Sequence, residues 1–142
     1  MSEFVLSPKE PKDLKIDYIN DLNDQQFDVV QQGDGPVLVL AGAGSGKTRT
    51  ITYRVAWLLE HGIAPNNILL LTFTNKAARE MISRVESLLG DSAQGLWAGT
   101  FHSVANRLLR KYAPKLGFES NFSILDQEDS RDLISLCVKE LK

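Results

Sequence analysis

A glycine-rich stretch at residues 41–48, Ala-Gly-Ala-Gly-Ser-Gly-Lys-Thr, limits the folds that are open to this chain. A continuous apolar run at residues 37–41 precedes it, and residues 47–59 follow with apolar side chains at helical spacing. The order of buried strand, glycine turn and helix predicts one unit of a parallel α/β sheet. The stretch matches the phosphate-binding pattern G-x-x-x-x-G-K-[ST], except that Ala41 stands at the first glycine.

This pattern indicates phosphate chemistry, because small residues let successive backbone N–H groups point at phosphate oxygens. The N-terminus of the following helix adds a partial positive charge. Lys47 is expected to reach the β- and γ-phosphates and the Thr48 hydroxyl to bind Mg²⁺, which makes both candidate catalytic residues and Thr48 the candidate metal ligand. The loop residues expected to hold a nucleotide are Ala43, Gly44, Ser45, Gly46, Lys47 and Thr48. The alternative is a glycine turn with a solvated lysine.

Further elements alternate along the chain. Short apolar runs predict strands at residues 68–71 and 97–101. Apolar periodicity predicts helices after Asn23, after Lys47, at residues 75–89, between residues 101 and 114, and at residues 127–141. Alternating strands and helices predict an α/β fold, a parallel sheet flanked by helices.

A second nucleotide candidate lies ahead of the apolar run. Asn23 and Gln26 have the spacing of a capping box that opens a helix, and Gly33 stands where that helix is expected to stop. The Gln26 amide also offers a donor and an acceptor, which match the edge of adenine. Taken alone, the residues leave open whether Gln26 is a helix cap or a base contact.

Two similar clusters follow the predicted strands at residues 68–71 and 97–101. Residues 72–78 read Thr-Phe-Thr-Asn-Lys-Ala-Ala, and residues 99–103 read Gly-Thr-Phe-His-Ser. Open parallel sheets place ligand groups at these strand ends. An exposed aromatic, hydroxyls, an amide and a cation suit single-stranded nucleic acid, with Phe73 stacking on a base.

Structural alternatives stay open for these clusters. Phe73 could be a core residue, and Thr74 or Asn75 a helix cap. The cations Arg107, Arg110 and Lys111 could form a solvated helix face. His102 has no metal-ligand companion in the sequence, so a zinc site is not expected there.

Charge is nearly balanced overall but uneven along the chain. The formal net charge is −2, whereas residues 1–46 carry −5, residues 47–115 carry +6 and residues 116–142 carry −3. A bulk polyanion binder is not indicated by the sum. The middle of the chain is where anions are expected to bind.

The first residues and the single cysteine add further expectations. Residues 1–20 show no sustained period and predict a flexible arm with one short helical turn near residues 16–19. Cys137 lies in an apolar stretch and is expected to be a buried, inert thiol in a reducing cytoplasm. No apolar run reaches the roughly 18 residues of a membrane span, so neither a membrane partner nor export is expected.

Together these motifs resemble those of superfamily 1 DNA helicases of the UvrD/Rep/PcrA type, across residues 22–141. Leu-Asn-x-x-Gln ending at Gln26 resembles the adenine-sensing Q motif of that family. Residues 41–49 resemble its motif I, residues 72–78 its motif Ia and residues 99–103 its motif Ib. The chain therefore looks like an amino-terminal fragment of such a helicase.

The resemblance implies a P-loop NTPase (RecA-like) fold, present in part, with ATP and Mg²⁺ as cofactors. Residues 1–20 would be an arm, residues 21–100 the ATP-binding part of motor domain 1A, and residues 101–142 the start of an inserted helical subdomain, 1B. Arg49 would pack on adenine beside Gln26. The residues that would contact DNA are Phe73, Thr74, Asn75, Lys76, Thr100, Phe101 and His102.

The implied activity is ATP-dependent translocation on single-stranded DNA, 3′ to 5′, with unwinding at a duplex junction. The implied partners are single-stranded DNA, the duplex junction, ATP, and other repair or replication proteins.

The sequence departs from the family pattern in its catalytic carboxylates. The family carries an Asp-Glu pair after a strand and later arginines, and no such pair occurs at a predicted strand end here. Residues 122–126 imitate an acidic strand end, but Gln127 stands where the Glu would be, and Asp126 with Asp129 fits a helix cap better. The chain is expected to bind ATP without turnover.

Two other functions compete with the helicase interpretation. One is a nucleotide- or DNA-binding module without hydrolysis, and the other is a small P-loop kinase. No acceptor site or lid for a kinase is visible in the sequence after residue 80.

Overall fold

The computed structural model describes residues 14–33 and 35–141. Its elements are α1 (Tyr18–Asp21), α2 (Asp24–Gln31), α3 (Lys47–Glu60), β1 (Leu69–Thr72), α4 (Asn75–Leu89), β2 (Trp97–Thr100), α5 (Phe101–Tyr112) and α6 (Gln127–Glu140). The chain divides into two compact units, one that ends at Phe101 and one that begins at His102. The described part holds no helix long and apolar enough to cross a membrane.

The sheet of the first unit consists of β1 and β2 in parallel, with α4 as the crossover between them. The register runs from Leu69 opposite Trp97 to Thr72 opposite Thr100. Parallel neighbours need such a crossover, and α4 packs against both strands. This arrangement agrees with the expected α/β class. Leu70 is buried whereas Leu69 is half exposed, so the expectation that this strand is buried holds for one face only.

The predicted strand at residues 37–41 is wrong, because this run forms no strand in the structure. Leu38 is 85% exposed and Leu40 is 88% exposed. A strand is stabilised by ladder hydrogen bonds to a neighbour, and β1 pairs only with β2 among the described residues. The apolar composition of this segment is typical of a strand, but the segment has no partner within the described part of the chain.

The core of the first unit lies around α3, which contributes to two apolar clusters. One cluster joins α1, α2, α3 and the end of α4, and its buried members are Ile16, Tyr18, Leu22, Val30, Tyr53, Ala56 and Leu89. The other joins α3 to β1 and α4, through Val55, Ile68, Leu70, Met81, Val85 and Ala93. Full burial of each large side chain contributes about 1.5–3 kcal/mol.

The predicted flexible arm at residues 1–20 is only partly described, since residues 1–13 lie outside the described residues. In the remainder, Ile16 and Tyr18 are buried, so this part is packed against the core rather than free. The helical turn predicted near residues 16–19 is present two residues further along the chain, as α1 at Tyr18–Asp21. The Tyr18 hydroxyl donates to Glu60 Oε2 at 2.6 Å, which fixes α1 to the end of α3. Burial, followed by this hydrogen bond, raises the pKa of Tyr18 well above its usual value.

Side-chain caps begin four of the described helices, and the Asp17 carboxylate caps the first, α1, by accepting the Asn20 N–H at 3.2 Å. Asn23 caps α2 in a capping box with Gln26, and Thr74 caps α4 through Ala77 N–H. The Asp126 carboxylate accepts the backbone N–H groups of Glu128 and Asp129 at the start of α6. The cap interpretation of Asp126 is therefore confirmed.

The second unit leaves the apolar face of α6 uncovered. Its Leu133, Ile134, Leu136 and Val138 side chains are about half exposed or more, and Cys137 is exposed. The expectation of a buried thiol is wrong, because an apolar stripe is buried only where another element covers it.

Candidate functional site

The glycine loop is a tight turn that leads directly into α3. The Ser45 hydroxyl donates to the Gly42 carbonyl at 2.8 Å, and its backbone N–H reaches the same oxygen at 3.4 Å. Gly44 and Gly46 have φ of +76° and +83°, in the left-handed region that favours glycine. Gly46 is the N-cap of α3 and makes no side-chain cap hydrogen bond, unlike the caps of α2, α4 and α6.

The start of α3 is electrostatically suited to an anion. Its first turn contains Lys47 and Arg49 and no acidic residue. A cation at a helix N-terminus opposes the macrodipole at about 0.3–1 kcal/mol, so this arrangement disfavours the helix unless an anion binds. The Lys47 ammonium donates to the Gly42 carbonyl at 2.6 Å and to the Ala41 carbonyl at 3.2 Å. The ammonium is therefore held at the exposed loop. Together with the backbone N–H groups at the start of α3, it forms a set of hydrogen-bond donors that fits a polyphosphate.

Gln26 joins the loop to α2 through its side-chain amide. Its Oε1 accepts the Asn23 N–H at 3.3 Å, which completes the capping box and confirms the cap interpretation. Its Nε2 donates to the Ser45 carbonyl at 3.1 Å. One side chain therefore caps a helix and contacts the loop.

Replacing Gly46 by alanine is expected to disturb this contact. A Cβ at Gly46 would lie 2.6 Å from Gln26 Nε2, in addition to the left-handed strain of roughly 1–2 kcal/mol. Gly62 has φ of +87° with nothing within 4 Å of such a Cβ, so Gly62→Ala is the matched control for strain alone. In urea unfolding we expect Gly46→Ala to cost about 1 kcal/mol more than Gly62→Ala, since the Gln26 hydrogen bonds are displaced.

The same measurement with Gln26→Ala isolates the contact. In that background the excess cost of Gly46→Ala should disappear, because the side chain that it meets is gone. Equal losses for Gly46→Ala and Gly62→Ala in the unmodified chain would contradict the role of the Gln26 amide at the loop.

Arg49 is held by two residues that no sequence motif singles out. Its Nη2 donates to the Asp21 carbonyl at 2.6 Å and approaches the Tyr53 hydroxyl at 3.4 Å. The guanidinium carbon lies 5.1 Å from the centre of the Tyr53 ring. The Tyr53 hydroxyl donates to Asp21 Oδ2 at 3.1 Å. The i, i+4 spacing of Arg49 and Tyr53 on one helix is the signal that could have found the tyrosine.

The two aromatic DNA candidates of the first unit lie together. Thr72 and Thr100 are the last pair of the sheet register, so Phe73 and Phe101 follow it at the same edge. Their ring centres are 5.8 Å apart at an angle of 51°, and the side chains are 92% and 52% exposed. The alternative that Phe73 is a core residue is therefore wrong.

The other candidates occupy varied positions. The Thr74 hydroxyl accepts the Ala77 N–H at 3.1 Å, so the helix-cap alternative is correct for this residue. Asn75 and Lys76 are exposed in the first turn of α4, and Thr100 is partly buried at the end of β2. His102 is exposed in the second unit.

The remaining loop candidates differ in exposure. Ala43 is exposed within the turn, and Thr48 is partly buried in the first turn of α3. The Thr48 carbonyl accepts the Thr52 hydroxyl at 2.8 Å.

Comparison with known families decides the relationship of this chain. Residues 22–142 match the UvrD/REP helicase N-terminal domain, which accounts for most of the sequence. The chain belongs to the UvrD/REP helicase family. The resemblance drawn from the four motifs is thereby confirmed.

Curated members of the UvrD/REP family show the extent of the match. The chain is 48% identical over 122 residues to the ATP-dependent DNA helicase PcrA of Staphylococcus aureus strain Mu50 and to PcrA of Staphylococcus epidermidis. The alignments cover 85% of this chain and 17% of each relative. The chain therefore corresponds to a small N-terminal part of these helicases.

Proposed function

We propose that this chain is the N-terminal, ATP-binding portion of an ATP-dependent DNA helicase that translocates 3′ to 5′ on single-stranded DNA and unwinds duplex in repair or replication. The observation that carries the proposal is the cationic start of α3, which has no side-chain cap and follows a glycine turn. Residues 21–100 are then part of a RecA-like motor domain, 1A, and residues 101–142 the start of the inserted subdomain 1B. The setting is cytoplasmic.

The loop is suited to bind the phosphates of ATP. Backbone N–H groups from Ala43 to Thr48 and the Lys47 ammonium supply the donors. The Thr48 hydroxyl would hold Mg²⁺, which would neutralise charge on the phosphate oxygens. Gln26 and Arg49 are the candidates for the adenine base. The names of the relatives, ATP-dependent DNA helicases, support this choice of nucleotide.

Calorimetric titration of the chain with Mg·ATP tests the nucleotide half of the proposal. We expect saturable but weak binding, because the candidate nucleotide contacts named above all belong to the glycine loop, the start of α3 and Gln26 beside them. Absence of any saturable heat would contradict the proposal.

The paired aromatic rings support the DNA half of the proposal. Phe73 and Phe101 present π-faces at the carboxyl edge of the sheet, where a base can stack without regard to sequence. Lys76 and the neighbouring polar groups, with Thr100, would contact the phosphates, and His102 of the second unit is a separate candidate contact. The surface formed by Phe73, Phe101 and the neighbouring polar groups would therefore bind single-stranded DNA weakly, with an affinity that falls as the salt concentration rises.

Removing the most exposed ring should weaken this binding. Stacking contributes about 1–3 kcal/mol per base, so Phe73→Ala should raise the Kd for a fluorescent oligothymidine by about 5- to 150-fold in an anisotropy titration at low salt. Phe118→Ala removes another exposed phenylalanine, 64% exposed in the second unit, and should leave the Kd unchanged. Equal affinity of Phe73→Ala and the unmodified chain, or tight binding that survives high salt, would contradict the assignment.

A further inference from the structure

We propose that Asp21 and Tyr53 are positioning residues that hold the Arg49 guanidinium for the base of a bound nucleotide, so that the site distinguishes ATP from inorganic triphosphate. This inference rests on the proposed function, because it needs a nucleotide in the loop. It adds two residues outside the recognised motifs. It also adds one property of the site, the difference between its affinity for ATP and its affinity for inorganic triphosphate.

Arg49 and Gln26 lie on the same side of the glycine loop, next to Gly46. An ideal Cβ on Gly46 would be 2.6 Å from Gln26 Nε2 and 3.9 Å from Arg49 Cβ. The two candidate base contacts therefore flank the same loop glycine, directly ahead of the first turn of α3. A base attached to phosphates in this loop would meet a region that these two side chains border.

The guanidinium is anchored on one nitrogen. The hydrogen bond to the Asp21 carbonyl and the contact with the Tyr53 hydroxyl both involve Nη2, so neither uses Nε or Nη1. The Tyr53 ring supports the guanidinium at 5.1 Å from the ring centre, within the range of a cation–π interaction. A free arginine side chain has considerable rotamer entropy. The contacts with Asp21 and Tyr53 remove much of this entropy before a ligand binds.

Tyr53 is itself fixed. It is 8% exposed, its ring meets the Tyr18 ring edge-on at 6.0 Å, and its hydroxyl donates to the Asp21 carboxylate. Burial raises the pKa of Tyr53, the hydrogen bond to Asp21 raises it further, and the nearby Arg49 charge opposes both. The hydroxyl is therefore protonated at neutral pH, and its oxygen can accept from Arg49 while it donates its proton to the Asp21 carboxylate.

Asp21 contacts both Arg49 and Tyr53 from a different element, α1. Its carbonyl and carboxylate oxygens, at the end of α1, contact two side chains that project from α3. α1 is held in turn by the hydrogen bond of Tyr18 to Glu60. The position of the guanidinium thus depends on packing of α1 against α3.

The test compares Mg·ATP with Mg·tripolyphosphate, which carries the phosphates without a base. Both are titrated into the 142-residue chain by calorimetry, and each variant's melting temperature is recorded. Tyr53→Phe removes the hydroxyl and keeps the ring. We expect the Kd for ATP to rise about three- to ten-fold, the loss that follows from one hydrogen bond, with the tripolyphosphate Kd unchanged. Asp21→Asn, which keeps the carbonyl and the side-chain volume, should shift the ATP Kd in the same direction by less.

Tyr112→Phe is the matched control. It makes the same tyrosine-to-phenylalanine change in the second unit, on α5, and it should leave both Kd values unchanged. A second comparison uses Arg49→Ala: if Tyr53 acts through Arg49, adding Tyr53→Phe to Arg49→Ala should not weaken ATP binding further.

The inference is overturned if Tyr53→Phe weakens both ligands equally, if it changes neither, or if it weakens ATP binding just as much in the Arg49→Ala background. Equal affinity of the unmodified chain for ATP and tripolyphosphate would overturn it while leaving the phosphate loop intact. Binding of neither ligand would remove the proposed function and the inference together.

Discussion

Phosphate release from ATP by this 142-residue chain is expected to be no faster than release by its Lys47→Ala variant, even with single-stranded DNA present. Phosphoryl transfer requires a positioned water and stabilisation of charge on the γ-phosphoryl oxygens, and an arginine finger alone contributes about 10³–10⁵ in rate. The candidate residues of this chain, from Gln26 to Arg49, hold the nucleotide only on its loop side. Binding without turnover is the expected behaviour.

Asp126 is the residue on which this expectation depends. Its carboxylate accepts two backbone N–H groups at the start of α6, so it is engaged as a cap. Asp126→Asn keeps a good helix cap and removes the charge that a metal would need, which makes it the matched test of a catalytic role. Turnover by the unmodified chain that both Lys47→Ala and Asp126→Asn abolish would mean that the fragment is a complete small ATPase and would contradict the prediction.

Elements with local signals could be predicted from the sequence. The helix at residues 75–89 has the same bounds in the structure, because its apolar period, its Thr74 cap and the glycine at position 90 all lie within the segment or beside it. The capping boxes at Asn23 and Asp126 were likewise predictable, since each joins residues three positions apart.

Features that depend on distant partners were not predictable in the same way. The run at residues 37–41 has strand composition but no strand, because a ladder needs a neighbour that its own sequence does not specify. Cys137 lies on an apolar stripe that looks buried in sequence, but no described element covers it. The burial of Ile16 and Tyr18 also does not follow from local sequence, because the residues of α3 that cover them lie far along the chain.

The candidate site shows the same division. The residue types of the loop follow from the phosphate-binding pattern, and the structure adds how they are held. The Gln26 contact with Ser45 spans 19 residues and the Arg49 contact with Asp21 spans 28, so neither follows from local spacing. Only a tertiary arrangement brings these pairs together.

Lys47→Ala is expected to weaken nucleotide binding more strongly than Tyr53→Phe or Asp21→Asn. It removes the only side-chain cation in residues 41–48 and the charge-assisted contacts that it would make with phosphate oxygens. Losing such a contact costs roughly 1.5–3 kcal/mol, which raises the Kd for ATP by about ten- to a hundred-fold. The substitution also removes the hydrogen bonds of Lys47 to the Gly42 and Ala41 carbonyls, so the melting temperature must be followed to separate loop damage from lost phosphate contact.

The most direct test of phosphate binding by the glycine loop is a calorimetric titration of Mg·ATP into the unmodified chain, Lys47→Ala and Lys139→Ala. Lys139 is exposed on α6 in the second unit, so its variant makes the same lysine-to-alanine change away from the loop. We predict saturable binding by the unmodified chain and by Lys139→Ala, with the affinity of Lys47→Ala lower by about ten- to a hundred-fold. Equal affinity for Lys47→Ala and the unmodified chain would contradict the assignment of the loop as the ATP site.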